Sequence, residues 1–151
     1  MFLPGGTPPA TLAEFTLNGA GDQDFYDVSL VDGYNIQMTI KPKSPSNGSP
    51  PNYWCKNVGC TQDLNSICPN DLKVNSGGRV VGCKSACERF REDRYCCRGQ
   101  FNSPHSCQPS SWPFNFAAVF KTACPMAYSY AYDDASSTFF CRNTGYDIVF
   151  C

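Results

Sequence analysis

The sequence predicts an all-β protein that is held together by disulfide bonds. Of its 151 residues, 42% are hydrophobic and only 17% are charged, which is typical of a packed globular chain and argues against disorder. Eleven cysteines give a density that is typical of secreted, disulfide-rich proteins. Between residues 24 and 40, two segments have the composition and alternation of β-strands. A chain of this length is expected to form one folding unit.

The first two predicted strands flank Asp32-Gly33, a dipeptide that strongly favours a tight turn. Residues 24–31 are rich in aromatic and β-branched side chains. Residues 34–40 alternate between apolar and polar side chains, so this strand is expected to bury one face and expose the other. The two segments together predict a β-hairpin. Further strands are predicted at residues 137–141 and 146–151.

A surface loop is predicted next, because residues 41–52 are rich in Pro, Ser, Gly and Asn. Within it, Asn47-Gly48-Ser49 fits the acceptor pattern for N-glycosylation. The pattern is short and Pro50 follows it, so an unused acceptor is the favoured interpretation.

Loops and two short helices are predicted for residues 55–124, which hold nine cysteines and little hydrophobic periodicity. Ser85 and Glu88 form a capping box for the first helix. Ser111 is the predicted cap of the second helix, over residues 113–123.

An aromatic run accompanies the second predicted helix and has two interpretations. It could form a membrane or ligand surface, or it could pack the helix against the rest of this region, and packing is favoured. The run consists of Trp112, Phe114, Phe116 and Phe120.

The cysteines could in principle bind zinc or form disulfides. Zinc modules repeat short cysteine pairs, whereas the spacing of Cys83 to Cys87 and the adjacent Cys96 and Cys97 gives no such repeat. Disulfides are therefore favoured, and no metal is expected. Because eleven is an odd number, at least one thiol must lack a partner within an oxidised monomer.

The N-terminal sequence lacks an export signal, although the cysteine content is typical of a protein from an oxidising compartment. Met1-Phe-Leu-Pro-Gly-Gly lacks the basic region and the apolar run of a signal peptide. We expect an N-terminal truncation to explain the disagreement.

Five longer motifs stand out along the chain. They are Thr7-Pro-Pro-Ala-Thr-Leu-Ala-Glu-Phe, Asp24-Phe-Tyr-Asp-Val-Ser-Leu-Val-Asp-Gly-Tyr-Asn, Tyr95-Cys-Cys, Cys124-Pro-Met-Ala-Tyr-Ser-Tyr and Asp133-Asp-Ala-Ser-Ser-Thr-Phe. Their residues and their order resemble the thaumatin-like family, the class 5 pathogenesis-related proteins. Several long motifs in the right order are far more specific than one short pattern.

The resemblance implies a disulfide pairing that spacing alone leaves open. Family members have sixteen cysteines, and the last eleven align in order with the eleven here. Cys151 is left unpaired, because its family partner lies near the missing N-terminus. The implied pairs are Cys55 with Cys141, Cys60 with Cys124, Cys68 with Cys83, Cys87 with Cys96, and Cys97 with Cys107.

The resemblance also implies an antiparallel β-sandwich, incomplete in this chain, with a disulfide-rich lobe of loops and short helices. Residues 1–54 are expected to hold sandwich strands and the remnant of a small lobe, residues 55–124 the disulfide-rich lobe, and residues 125–151 the C-terminal sandwich strands. A sheet that lacks strands is expected to expose edges and apolar faces. An acidic cleft is implied between sandwich and lobe.

Glu14, Asp27 and Asp32 match three acidic residues of the family cleft. Asp133 or Asp134 matches a fourth, and we take Asp133. Paired carboxylates suit glycoside hydrolysis, in which one donates a proton and the other acts as base or nucleophile. They suit the binding of sugar hydroxyls equally well, with nearby aromatic rings stacking on the sugar.

The same acidic residues have simpler interpretations when the resemblance is set aside. Glu14 could close a capping box with Thr11, and Asp32 could serve only the Asp-Gly turn. Asp133 and its neighbour could form a solvated loop. The resemblance makes a shared acidic cleft the favoured interpretation.

Two departures from the family pattern bear on the cleft. Met126 stands where members commonly have aspartate, and the arginine of the family cleft would lie in the missing N-terminal part. Carboxylates without this cation are expected to have raised pKa values through mutual repulsion.

Three functions compete at this point. The first is an extracellular, antifungal defence protein that binds β-1,3-glucan or other cell-surface components and has, at most, weak endo-β-1,3-glucanase activity. The second is a non-catalytic interaction module or receptor ectodomain, and the third is a nonfunctional fragment. Twelve basic and thirteen acidic residues nearly cancel, so nucleic acid is not an expected partner. We also expect a monomer, no transmembrane segment and no cofactor.

Overall fold

A computed structural model of the chain describes residues 6–44 and 52–150. The strands in this part of the chain are β1 (Leu12–Gly19), β2 (Gln23–Ser29), β3 (Met38–Pro42), β4 (Val58–Cys60), β5 (Lys73–Ser76), β6 (Arg79–Cys83), β7 (Phe139–Cys141) and β8 (Tyr146–Phe150). The helices are α1 (Leu64–Ile67), α2 (Ala86–Phe90), α3 (Asp93–Cys96), α4 (Phe116–Ala123) and α5 (Asp134–Ser137). Short 3-10 turns lie at Asn70–Leu72, Gly99–Phe101 and Pro109–Ser111.

The strands form two antiparallel sheets and a separate hairpin. The first sheet has the order β1-β2-β7 and the second β4-β3-β8, while β5 pairs with β6. β2 packs against β3 and β4, so the core lies between the two sheets. Tyr26 and Val28 of β2 are fully buried there with Ile40 of β3 and Val58 of β4. The predicted antiparallel all-β fold is confirmed.

The hairpin predicted across Asp32-Gly33 is wrong, because β2 and β3 lie in different sheets. A tight turn does form there, since the Gly33 N–H donates to the Leu30 carbonyl at 2.9 Å and Gly33 has a φ of 85°. Beyond the turn, however, Tyr34 exchanges two backbone hydrogen bonds of 2.8 Å with Cys83. This pairing with β6 directs the chain into the second sheet.

Five disulfides join described residues, and they are the five pairs that the resemblance implies. Cys55–Cys141 ties the segment before β4 to β7, and Cys60–Cys124 ties β4 to the end of α4. The other three bonds are Cys68–Cys83, Cys87–Cys96 and Cys97–Cys107. Cys151 and Asn47 lie outside the described residues, so the free thiol and the glycosylation pattern stay predictions.

Helix α2 begins as the capping box predicts, with Ser85 Oγ accepting the Glu88 N–H at 3.1 Å. The predicted cap of the second helix is wrong. Ser111 ends a 3-10 turn, and α4 begins three residues after Pro113, where Asn115 Oδ1 accepts the Ala118 N–H at 3.0 Å. The first residues after Pro113 therefore stay outside the helix.

The aromatic run packs inward, as predicted for three of its four members. Trp112, Phe116 and Phe120 are buried, whereas the side chain of Phe114 is 53% exposed. Trp112 also donates from Nε1 to the Arg94 carbonyl at 3.0 Å, which links this run to α3. Within residues 6–44 and 52–150, every helix is too short or too polar to cross a lipid bilayer.

Replacing Ser85 with Ala is expected to lower the free energy of unfolding by about 1 kcal/mol, because α2 loses the acceptor for its Glu88 N–H. Ser111→Ala is the matched control, since its hydroxyl bonds only the exposed Gln108 carbonyl and caps no α-helix. The change should stay within about 0.5 kcal/mol. Thermal or denaturant unfolding measures both variants, and equal losses would contradict the assignment of the caps.

Candidate acidic site

Strand pairing places Glu14 and Asp27 side by side. β1 and β2 are antiparallel, and their register makes Glu14 the direct partner of Asp27. Side chains at directly opposed positions share one face of the sheet, with Cβ atoms about 5 Å apart. Glu14 is exposed, Asp27 is partly buried, and Asp27 Oδ1 is fully buried without a hydrogen-bond partner. Glu14 thus belongs to a strand and not to a helix cap.

The alternation of β2 explains why Asp27 faces away from the core. Its neighbours Tyr26 and Val28 are fully buried, and the Tyr26 hydroxyl donates to the Lys56 carbonyl at 2.7 Å. Because successive side chains point to opposite faces, Asp27 must share the outer face with Phe25. The buried pair therefore fixes the orientation of the carboxyl group.

Tyr128 and Asp134 approach Asp27 from the other side of β2. The Tyr128 N–H donates to the Val28 carbonyl and the Leu30 N–H donates to the Tyr128 carbonyl, both at 2.9 Å. The Tyr128 hydroxyl donates to Asp134 Oδ1 at 2.9 Å and lies 2.6 Å from Thr138 Oγ1. Burial raises the pKa of Tyr128 to about 12, and the carboxylate of Asp134 adds to this effect. The hydroxyl therefore remains a donor at neutral pH.

The pKa of Asp27 lies well above its ordinary value. Burial raises its pKa from the ordinary 3.8 to about 8, and the charge of Glu14, a hydrogen bond with Glu14 and the charge of Asp134 act in the same direction. Two ionised carboxylates cannot hydrogen-bond to each other, so one of the pair must carry a proton. The more buried Asp27 is the favoured carrier of this proton.

The structure does not bring the predicted Asp133 to this pair. Its Oδ2 lies 2.9 Å from Lys121 Nζ and accepts from the N–H and the hydroxyl of Ser129, and its Oδ1 accepts from the Ser136 hydroxyl. Only 14% of the Asp133 side chain is exposed. The neighbouring Asp134, the alternative match in the sequence, occupies the position beside Asp27 instead.

Asp32 lies near a different carboxylate, that of Glu88. Burial raises the pKa of Glu88, the charges of Lys84 and Arg91 lower it, and the charge of Asp32 raises it. Glu88 Oε2 is buried without a hydrogen-bond partner, and Glu88 Oε1 lies 4.0 Å from Lys84 Nζ. The sequence indicates Glu88 only as part of a helix cap, because nothing in the sequence links Glu88 to Asp32, which lies 56 residues earlier.

Aromatic rings share the outer face with the acidic pair. Phe25 is the direct partner of Phe140 on β7, and their ring centroids are 6.4 Å apart. Trp54 meets Phe140 edge-on at 5.4 Å. All three rings are partly exposed. Charged acceptors beside partly exposed rings are the two features that sugar-binding surfaces combine.

Comparisons with known proteins agree with this fold. The family model described as the thaumatin family matches residues 3–151. Pathogenesis-related protein 5 of Arabidopsis thaliana is 54% identical over 147 residues, which cover 97% of this chain and 57% of that protein. A glucan endo-1,3-beta-glucosidase of Prunus avium is 46% identical over 149 residues, which cover 97% and 57%. A PR5-like receptor kinase of Arabidopsis thaliana is 43% identical over 151 residues, which cover 97% and 22%. The chain spans little more than half the length of the first two relatives.

The proton on Asp27 has a consequence for stability. Below pH 3.8 Asp27 is protonated in both the folded and the unfolded chain, and as the pH rises the unfolded chain loses this proton first. The contribution of Asp27 to stability is therefore expected to fall between about pH 4 and pH 8. Melting temperatures of the unmodified protein and of Asp27→Asn across this range should diverge in favour of Asn.

Asp63→Asn is the matched control, because Asp63 caps α1 at an exposed position and Asn caps equally well. Its melting curve should run parallel to that of the unmodified protein. Parallel curves for Asp27→Asn as well would contradict a raised pKa at Asp27.

Proposed function

The chain belongs to the thaumatin family, and we propose that it is an extracellular defence protein that binds β-1,3-glucan at Glu14, Asp27 and Asp134. The observation that carries this proposal is the direct pairing of Glu14 with Asp27 beside Asp134 on the outer face of the first sheet. Five disulfides favour an oxidising compartment.

The site offers the acceptors that sugar hydroxyls need. Glu14 and Asp134 are exposed carboxylates, and the oxygen of the Tyr128 hydroxyl, whose single proton goes to Asp134, can accept as well. Charge-assisted hydrogen bonds from sugar hydroxyls to these carboxylates contribute more than neutral ones. A β-1,3-glucan chain, which presents a row of hydroxyl groups, suits this arrangement.

Binding, rather than cleavage, is the proposed role of the acidic pair. Glycosidases place their two carboxyl groups about 5 to 9.5 Å apart, with the scissile bond between them. Glu14 and Asp27 are directly opposed strand partners with Cβ atoms about 5 Å apart, at the short end of this range. Any endo-β-1,3-glucanase activity, as the name of the Prunus avium relative suggests, is expected to be weak.

A second candidate function is recognition within a receptor ectodomain, and the similarity to a PR5-like receptor kinase favours it. In that case the acidic site would contact a protein or another cell-surface component. Binding of insoluble β-1,3-glucan separates the two candidates, because the receptor function does not require it.

Glu14→Gln, Asp134→Asn and Asp27→Ala are each expected to weaken binding to insoluble β-1,3-glucan about tenfold. Each removes a hydrogen bond to a charged or proton-sharing group, which contributes roughly 1.5 to 3 kcal/mol. The measurement is a depletion isotherm of the purified chain on insoluble glucan.

Asp63→Asn is again the matched control, since Asp63 lies on the lobe at the start of α1 and is exposed. It should bind as the unmodified protein does. If the three site variants also bind unchanged, their side chains do not hold glucan. If no form of the chain binds, the receptor function is favoured instead.

A further inference from the structure

A second groove lies at one end of the two sheets, away from the acidic site. It has a volume of about 880 Å³ and opens between the turn from β1 to β2 and the turn from β7 to β8. We call it the turn groove. Its polar lining includes Asn18, Asp22, Asp24, Arg142, Thr144 and Tyr146.

Hydrogen bonds between the turns hold the walls of the turn groove in place. Arg142 donates from Nη2 to the Gly21 carbonyl, which joins the two turns directly. The Lys43 N–H donates to the Gly145 carbonyl at 2.8 Å, and the Ser44 N–H donates to Thr144 Oγ1 at 3.0 Å. The groove is therefore formed before any ligand binds, which lowers the entropic cost of binding.

Asp24 lines the turn groove and retains hydrogen-bonding capacity. The residue is only 9% exposed, and it accepts from the Asn18 N–H and from the Tyr146 hydroxyl, both at 2.9 Å. An ionised carboxylate accepts about four hydrogen bonds, so roughly two positions are unused. Within the described part of the chain, no cation lies within ion-pair distance of Asp24.

Arg142 supplies the complementary donors at the rim. Its guanidinium has five N–H groups, only one of which is needed for the Gly21 carbonyl. Among the described residues, Arg142 makes no ion pair with a carboxylate. The groove thus combines unused cationic donors with unused anionic acceptors.

This combination suits a hydroxyl-rich ligand. Each hydroxyl group can donate to an unused acceptor of Asp24 and accept from an unused donor of Arg142, whereas an anion is repelled by Asp22 and Asp24. Leu17 at the rim is 60% exposed and offers an apolar contact for the C–H face of a sugar ring. We propose that the turn groove is a second saccharide-binding site, which binds short, neutral gluco-oligosaccharides.

The turn groove is independent of the acidic site. Asp24 and Asp27 lie three residues apart on β2, about 10 Å along the strand, and side chains at this spacing point to opposite faces of the sheet. Either site can therefore be lost without the other.

The test is a titration of isotopically labelled protein with laminaritriose, and separately with maltotriose, followed by NMR. Saturable shifts are expected at the amides of Gly21 and Thr144 and at the Nε–H of Arg142. Arg142→Gln should weaken this binding at least fivefold. Arg79→Gln, an exposed arginine at the β5–β6 turn, is the matched control and should leave binding unchanged. Glu14→Gln should also leave it unchanged, although it weakens binding at the acidic site.

Absence of shifts at these groups with both trisaccharides would overturn the proposal. Shifts confined to Asp27 and its neighbours would also overturn it, while supporting the acidic site. If Arg142→Gln binds the trisaccharides as tightly as the unmodified protein does, and the rest of its NMR spectrum is unchanged, the role of Arg142 is contradicted.

Discussion

The pairing of β1 with β2 is the constraint on which the acidic site depends, because it forces two carboxyl groups together. Glu14 and Asp27 share a face of the sheet through the backbone register, which holds their Cβ atoms close together. Burial and the charge of Glu14 then raise the pKa of Asp27. One strand register therefore places two carboxyl groups side by side, and this pair destabilises the folded chain as Asp27 ionises.

The rest of the structure holds β2 and its surroundings in position. Tyr26 and Val28 fix the face that Asp27 occupies, and the backbone of Tyr128 continues the sheet beside β2. Asp133 and Asp134 are adjacent but act differently. Asp133 neutralises Lys121 and organises its own loop, and this leaves Asp134 beside Tyr128 and Asp27. The ion pair is thus a positioning element for the site.

Local signals in the sequence predicted part of the local structure, although the predicted Ser111 cap is wrong. Ser85 was found as a helix cap because its partner Glu88 lies three residues away, and the strand character of residues 24–31 came from their composition. The Asp32-Gly33 turn was also present, but a turn signal does not state which strand the following segment will join. Here Tyr34 pairs with Cys83, so the predicted hairpin did not form. The disulfide pairs and the acidic residues came from family resemblance, since neither spacing nor composition selects partners so far apart.

The choice between adjacent residues, and contacts between distant ones, required the structure. From the sequence, Asp133 is selected over Asp134. In the structure Asp133 forms an ion pair with Lys121, and this leaves Asp134 as the available carboxylate. A titration of the side-chain carboxyl carbon of Asp27 by NMR tests most directly whether Asp27 carries the proton of the pair. A midpoint near pH 8 is expected, and it should fall toward the ordinary value of 3.8 in Glu14→Gln, which lacks the neighbouring charge. A midpoint near 3.8 in the unmodified protein would contradict the raised pKa.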